Sequence, residues 1–180
     1  MKFAIFFLLF FSNYLLSQIK LTIENDVEIY FLNNEISLSD LNSNKKDYKF
    51  KVINNTLNYL IISREGFEKK EQYVLKKNKI IHPIRIFTGG RPDELNDEEC
   101  NKEVIILKPK SEMKINNLNI FEIKANYNLN SKDKYFLVIK AEYNQNFAML
   151  NLIGCEKIVK QLNNYKFINI PIFAKIPLKK

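Results

Sequence analysis

Few residues in this 180-residue chain are of a type that does chemistry, and their spacing is unhelpful to it. The single histidine, His82, stands in Ile80-Ile81-His82-Pro83. An imidazole works as a general base only when a fold holds a nucleophile and an orienting group within hydrogen-bond reach. No His-Glu-x-x-His, no Cys-x-x-Cys and no second histidine is there to build a zinc site. Asp93, Glu94, Asp97, Glu98 and Glu99 form the densest carboxylate group. Calcium takes several oxygen ligands, but the EF-hand spacing and its glycine are missing. Pro92 followed by two acids reads instead as a solvated loop or a helical turn, the latter with negative charge at the positive end of its dipole. Gly89-Gly90 is not followed by the Gly-Lys-Ser/Thr of a phosphate loop and reads as a turn. Acids are too abundant for any pair of them to signal glycoside hydrolysis. No tryptophan is present to serve a carbohydrate platform. The reading is non-enzymatic, with no catalytic, cofactor or metal residues.

Cys100 and Cys155 are the only cysteines. An even count suits a disulfide in an oxidising compartment, and the long loop between them would make it worth about 4 kcal/mol. Two separate thiols are the alternative, because the alignment of the side chains is not readable from spacing.

The compartment is suggested by the first eighteen residues, MKFAIFFLLFFSNYLLSQ. Lys2 precedes an apolar run over residues 3–11, polar residues end it, and Ser17 is small: the pattern of a secretory signal. Cleavage is expected after Ser17 or Gln18, leaving the chain exported, periplasmic or extracellular. Retention of the segment as an anchor is the alternative, although the run is short of the ~20 residues of a comfortable span. The formal net charge is +8, nearly all of the cations being lysine. The lysines are scattered rather than gathered with stacking aromatics, which argues against nucleic acid and for a solvated surface with weak attraction to anionic envelope surfaces.

The elements that must position these residues are mostly strands. Tyr48, Phe50 and Val52 alternate with Lys49 and Lys51, a period of two that puts one face on a core. Asn54-Asn55-Thr56 interrupts the pattern as a corner; it also matches a glycosylation sequon. The apolar run at 59–62 reads as a more deeply buried strand. Further strands are expected at 19–23, 27–32, 80–87 (interrupted or at an edge because of Pro83), 104–107, 113–123, 135–143 and 165–176. One short helix is expected at 155–162, where Ile158, Val159 and Leu162 fall at helical spacing. No linker or internal repeat divides residues 19–180, so one domain is expected.

Three stretches, Phe50 to Leu60 through the Asn-Asn-Thr corner, IILKPKSEMKI (105–115) and YFLVIKAEY (135–143), resemble in order and type the small secreted bacterial immunoglobulin-like sandwiches, whose general plan is shared by the intracellular proteinase inhibitor-like domains of bacilli. The resemblance implies an all-β, immunoglobulin-like antiparallel sandwich. The chain departs from the pattern in having Asp133-Lys134 where a glycine precedes the late strand. It also departs in the charged stretch 64–102, expected as an insertion. Long connections are uncommon unless functional or disordered, so Lys69, Lys70, Lys76 and Lys77, with Asp93, Glu94, Asp97, Glu98 and Glu99, are the expected interaction loop. The function expected is a protein-binding or envelope-interaction module with an unidentified partner; a proteinase inhibitor or a small hydrolase is the alternative.

Overall fold

The computed structural model describes residues 18–37, 39–40, 48–64, 66–86, 94–121, 125–130, 132–144, 148–162 and 169–179. The expected signal segment lies outside them except for Gln18, as do Gly89, Gly90, Pro92 and Asp93. In chain order the strands are β1 (Ile19–Lys20), β2 (Val27–Phe31), β3 (Ile36–Ser37), β4 (Lys49–Asn54), β5 (Leu60–Ser63), β6 (Phe67–Lys76), β7 (Lys79–Ile81) and β8 (Arg85–Ile86). Helix α1 (Asp97–Glu103) leads into β9 (Val104–Leu107), β10 (Ser111–Asn116), β11 (Ala125–Asn126) and β12 (Tyr135–Asn144). Helices α2 (Ala148–Leu152) and α3 (Glu156–Leu162) precede the last strand, β13 (Asn169–Lys179).

Sheet A runs β1-β2-β4-β10 and is antiparallel throughout. Sheet B runs β3-β13-β12-β6-β7. Among the described residues its one parallel contact joins β13 to the short β3, so the fold is not purely antiparallel. Alternation along β2, β4, β12 and β13 sends Ile29, Phe31, Phe50, Val52, Leu137, Ile139, Ile172 and Ile176 into a single apolar cluster shared by both sheets. Each such side chain stabilises the fold by about 1.5–3 kcal/mol. Phe31, Tyr48, Phe50 and Phe121 meet there at centroid distances of 4.8–5.8 Å, mostly edge to face.

Residues 21–23 stitch the sheets together. The expected first strand ends early because residues 21–23 are shared between β2 and β13: Leu21 N–H donates to Ile29 O at 2.7 Å, while Phe173 N–H donates to Leu21 O at 2.8 Å and Ile23 N–H to Pro171 O at 3.4 Å. The last of these bonds explains how β13 tolerates two prolines. Residue 171 turns its backbone polar edge away from β12, and Pro177 has the same parity. Neither missing N–H therefore faces β12, and ten residues pair without interruption.

The corner after β4 works through a side chain. Asn54 is fully buried. Its amide donates to Asn58 O at 2.8 Å and Lys108 O at 3.0 Å, while its Oδ1 accepts from Thr56 N at 3.1 Å and Thr56 Oγ1 at 2.7 Å. Both donors and both lone pairs are used, which is what makes burial of an amide tolerable. The left-handed backbone that asparagine permits is not needed here; among the described residues it occurs at Asn34, Lys77, Asn78, Lys110, Asn117 and Gly154. The sequon match at Asn54 is thereby spent on structure, since a glycan there would replace a buried donor.

Strand β5 pairs with β9 in a separate ribbon and is buried along its whole length, as expected of Leu60 to Ile62, whereas Tyr59 precedes the strand and is exposed. Leu60 and Ile62 enter the shared core. Ile61 points the other way, into a second cluster with Cys100, Leu150, Ile153, Cys155, Ile158 and Leu162. The expected helix at 155–162 is α3. The expectation of a single helix is corrected, because three short helices cover Ile61's side of the ribbon.

Candidate functional site

The expected interaction loop divides into two unrelated places, and the lysine half is not a loop. Residues 67–76 form β6, a ten-residue strand between β12 and β7. Lys69, Lys70 and Lys76 sit on that strand, and Lys77 begins a two-residue hairpin turn with Asn78, both at positive φ (46° and 65°). The expectation of a charged insertion over 64–102 is corrected to this extent: most of 64–86 is sheet, because Tyr73, Val74 and Leu75 supply the β-forming centre.

The bulge in β6 explains its charges. Lys140 pairs with Glu71 and Ala141 with Lys69, which leaves Lys70 as the extra residue. Glu68 lies directly opposite Glu142, a like-charge pair that would repel. Lys70 Nζ stands between them, 2.7 Å from Glu68 and 3.8 Å from Glu142. The hydrogen bond to Glu68, chiefly, holds the Lys70 ammonium above its ordinary pKa. On the same two strands, beyond the bulge, Lys140 meets Glu71 at 2.7 Å, and the hydrogen bond raises its pKa likewise. Lys76 meets Asp133 at 2.6 Å; the same bond raises the lysine and lowers the carboxyl. Exposed pairs of this kind are worth about 0–1 kcal/mol each. They set charge pattern more than stability.

The acidic half is helical. Asn96 caps α1: its Oδ1 accepts from Glu98 N and Glu99 N at 3.0 Å each, and Glu99 Oε2 accepts from Asn96 N at 2.9 Å. This capping box places Asp97, Glu98 and Glu99 in the first turn, where the helix dipole favours them. The helix therefore starts at Asp97, later than the loop or helical turn read from sequence at Pro92. Asp97 meets Lys157 of α3 at 2.5 Å and Glu98 meets Lys102 at 2.8 Å. Glu94 lies just before the cap and is partnered; Asp93 lies outside the described residues. Among the described residues no group of three His, Cys, Asp or Glu is placed to hold a metal ion. His82 is exposed, between β7 and β8.

The helices are held by a bond that the sequence left open. Cys100 and Cys155 are joined, with sulfurs 2.00 Å and Cα atoms 5.5 Å apart. Two caps deliver the partners. The Asn96 box sets α1 and buries Cys100. At the end of α2, Gly154 takes φ 85°, Gly154 N–H donates to Asn151 O at 3.1 Å, and Cys155 N–H donates to Leu150 O at 2.8 Å. That is a Schellman turn, with Gly154 in the left-handed position that glycine alone occupies freely.

Tyr143 was read from sequence only as the end of a strand. Its ring lies 5.0 Å from Phe67, and its hydroxyl donates to Ile61 O and accepts from Ser63 N–H, both at 2.9 Å. Arg64 N–H bonds Glu103 O in register with the ribbon, so residues 61 and 63 face away from β9. The phenol thus serves that edge as a neighbouring strand's peptide would. Burial pushes the phenol well above its ordinary pKa. Gly66 leaves the room: a Cβ there would lie 2.3 Å from the Tyr143 ring. The sequence signal available for this contact was Gly66 itself, a rare glycine beside a strand.

Among the described residues no helix is long and apolar enough to cross a membrane. The chain matches no protein-family model, no curated protein and no solved structure.

Proposed function

We propose that the chain is an exported, non-enzymatic immunoglobulin-like β-sandwich that acts as a binding module for another protein or an envelope component. Two sheets around one core support the sandwich. A buried disulfide supports an oxidising compartment. The observation that carries the binding reading is the outward face of sheet B, where paired strands of ten residues hold side chains in fixed register toward solvent. Rigid surfaces of that kind recognise partners with little ordering cost.

The test has two parts. The exported protein is weighed intact; a mature chain starting at Gln18 or Ile19 is expected, and one that keeps Met1 overturns cleavage. Cells exporting the protein are then treated with an amine-reactive cross-linker, and discrete adducts are expected. Absence of any adduct, together with hydrolysis of a generic ester or peptide substrate that His82→Ala abolishes, would replace the binding reading with an enzymatic one.

A further inference from the structure

The outward face of sheet B is not uniformly charged. One row crosses four strands as Pro177, Phe136, Leu75 and Ile80, each directly opposite the next. Beside it Val138, between Lys175 and Tyr73, is buried, so the exposed ends of the row are Pro177 and Ile80, with Phe136 and Leu75 half-buried between them. These are not core positions: the alternate residues Val74, Leu137, Ile139 and Ile176 fill the core. Ile80 is 52% exposed, and Ile84 beyond it 71%. Strand β7 ends the sheet, and among the described residues its outer edge meets no further strand. Lys76 and Lys79 close the two-residue hairpin, so Ile80 turns its N–H and C=O to that open edge. An apolar row on a solvent face marks an interaction site, and an open strand edge accepts an extended segment.

Charge decides the occupant. The acids on or beside this face are engaged: Glu68 and Glu142 by Lys70, Glu71 by Lys140, Asp133 by Lys76 and Glu35 by Lys179. Lys77, Lys79 and Lys175 make no salt bridge among the described residues, although Lys77 lies near enough to help lower the Asp133 carboxyl, and Lys175 lies over the Phe136 ring at 4.9 Å. A second copy offering the same edge would set lysine against lysine, which disfavours pairing. Resting on the binding-module reading, we propose that this strip receives an extended segment of another protein in which acidic and apolar residues alternate. The segment adds along β7, with apolar side chains beside Ile80 and carboxylates, on the alternate face, near Lys77 and Lys79.

The probe is a fluorescein-labelled Glu-Val-Glu-Val-Glu-Val-Glu peptide, with its lysine counterpart as control, followed by anisotropy on the mature protein. The acidic peptide is expected to bind, to weaken as salt rises, and to lose about tenfold or more in Ile80→Glu and in Lys79→Glu. Both positions are exposed, so the variants keep the fold, which circular dichroism checks. Failure of the acidic peptide to bind, equal binding of the lysine peptide, or unchanged affinity in both variants overturns the proposal. So does an Ile80-dependent dimer in sedimentation, which makes a second copy the occupant, or binding to phosphatidylglycerol vesicles in place of the peptide. Cross-linked adducts retained equally by the parent and Ile80→Glu would overturn the strip while leaving the binding module standing.

Discussion

The two apolar clusters hold themselves together by different means. The large one takes side chains from both main sheets and closes by burial, with aromatic edges meeting at its centre. The small one has seven buried residues under three helices of five to seven residues each. Isolated helices so short are not stable in water, and a core that small supplies little. A covalent bond, a capping box and a Schellman turn stand in for the missing area. Strand β5 belongs to both regions, with Leu60 and Ile62 in one cluster and Ile61 in the other. A rigid element can thus be shared while the sources of its stability differ on its two sides.

The comparison breaks most sharply at Phe50. Phe50→Ala empties the centre of the large cluster and is expected to cost about 3–5 kcal/mol. Chemical denaturation should show both sheets and helices lost in one lowered transition. A transition unchanged in midpoint would mean that the aromatic centre is not what holds the sheets.

Serine at both Cys100 and Cys155 is expected to cost about 2–4 kcal/mol, and to cost it locally. Amides of α1 and α3 should exchange with deuterium faster, while those of β12 and β13 keep their protection. Uniform loss of protection across the chain would show that the helical layer is not the separable unit described here.

The smallest effect tests the joint between the regions. Tyr143→Phe removes the hydroxyl that bonds Ile61 O and Ser63 N–H, at a cost of about 1–3 kcal/mol. It also changes the response to alkali. The folded chain holds the Tyr143 proton above the ordinary pKa of 10.0, mainly through burial, whereas the unfolded chain releases it there. This contribution is therefore complete below about pH 10 and declines as pH rises further. Tyr48, also raised by burial, declines in the same window. Urea midpoints between pH 8 and pH 11, a range on the order of one unit either side of that release, should fall less steeply in Tyr143→Phe than in the parent. Equal slopes would place the phenol in water.

What the sequence made legible follows from periodicity. Alternation from Tyr48 to Val52 and along 135–143 announced β4 and β12, and the apolar run at 59–62 announced a strand buried on both sides. Strand β6 stayed hidden because the bulge at Lys70 shifts the period of two midway. Its inward positions are odd before the bulge and even after it, so Phe67 and Val74 look unrelated. Helix α1 begins beyond Pro92 because the Asn96 to Glu99 box supplies the cap. The disulfide was legible as a count and not as a geometry. The charges of β6 were legible as charge, and Lys70 has a local partner in Glu68, but the pairing of Lys76 with Asp133 and of Glu71 with Lys140 spans more than fifty positions, which no local pattern carries.

Cys100 and Cys155 are separated by 55 positions in sequence. Between them lie β9, β10, β11 and β12, contributed to the ribbon, to sheet A, to the short pair that β11 makes with β8 and to the middle of sheet B. The covalent ring therefore threads all four sheets of the described residues. A protease that severs the backbone anywhere inside it makes two polypeptides that remain one molecule until a reductant is added. In a compartment rich in proteases, a nicked copy keeps its strands tethered near their places, so damage to a connection need not become loss of the protein.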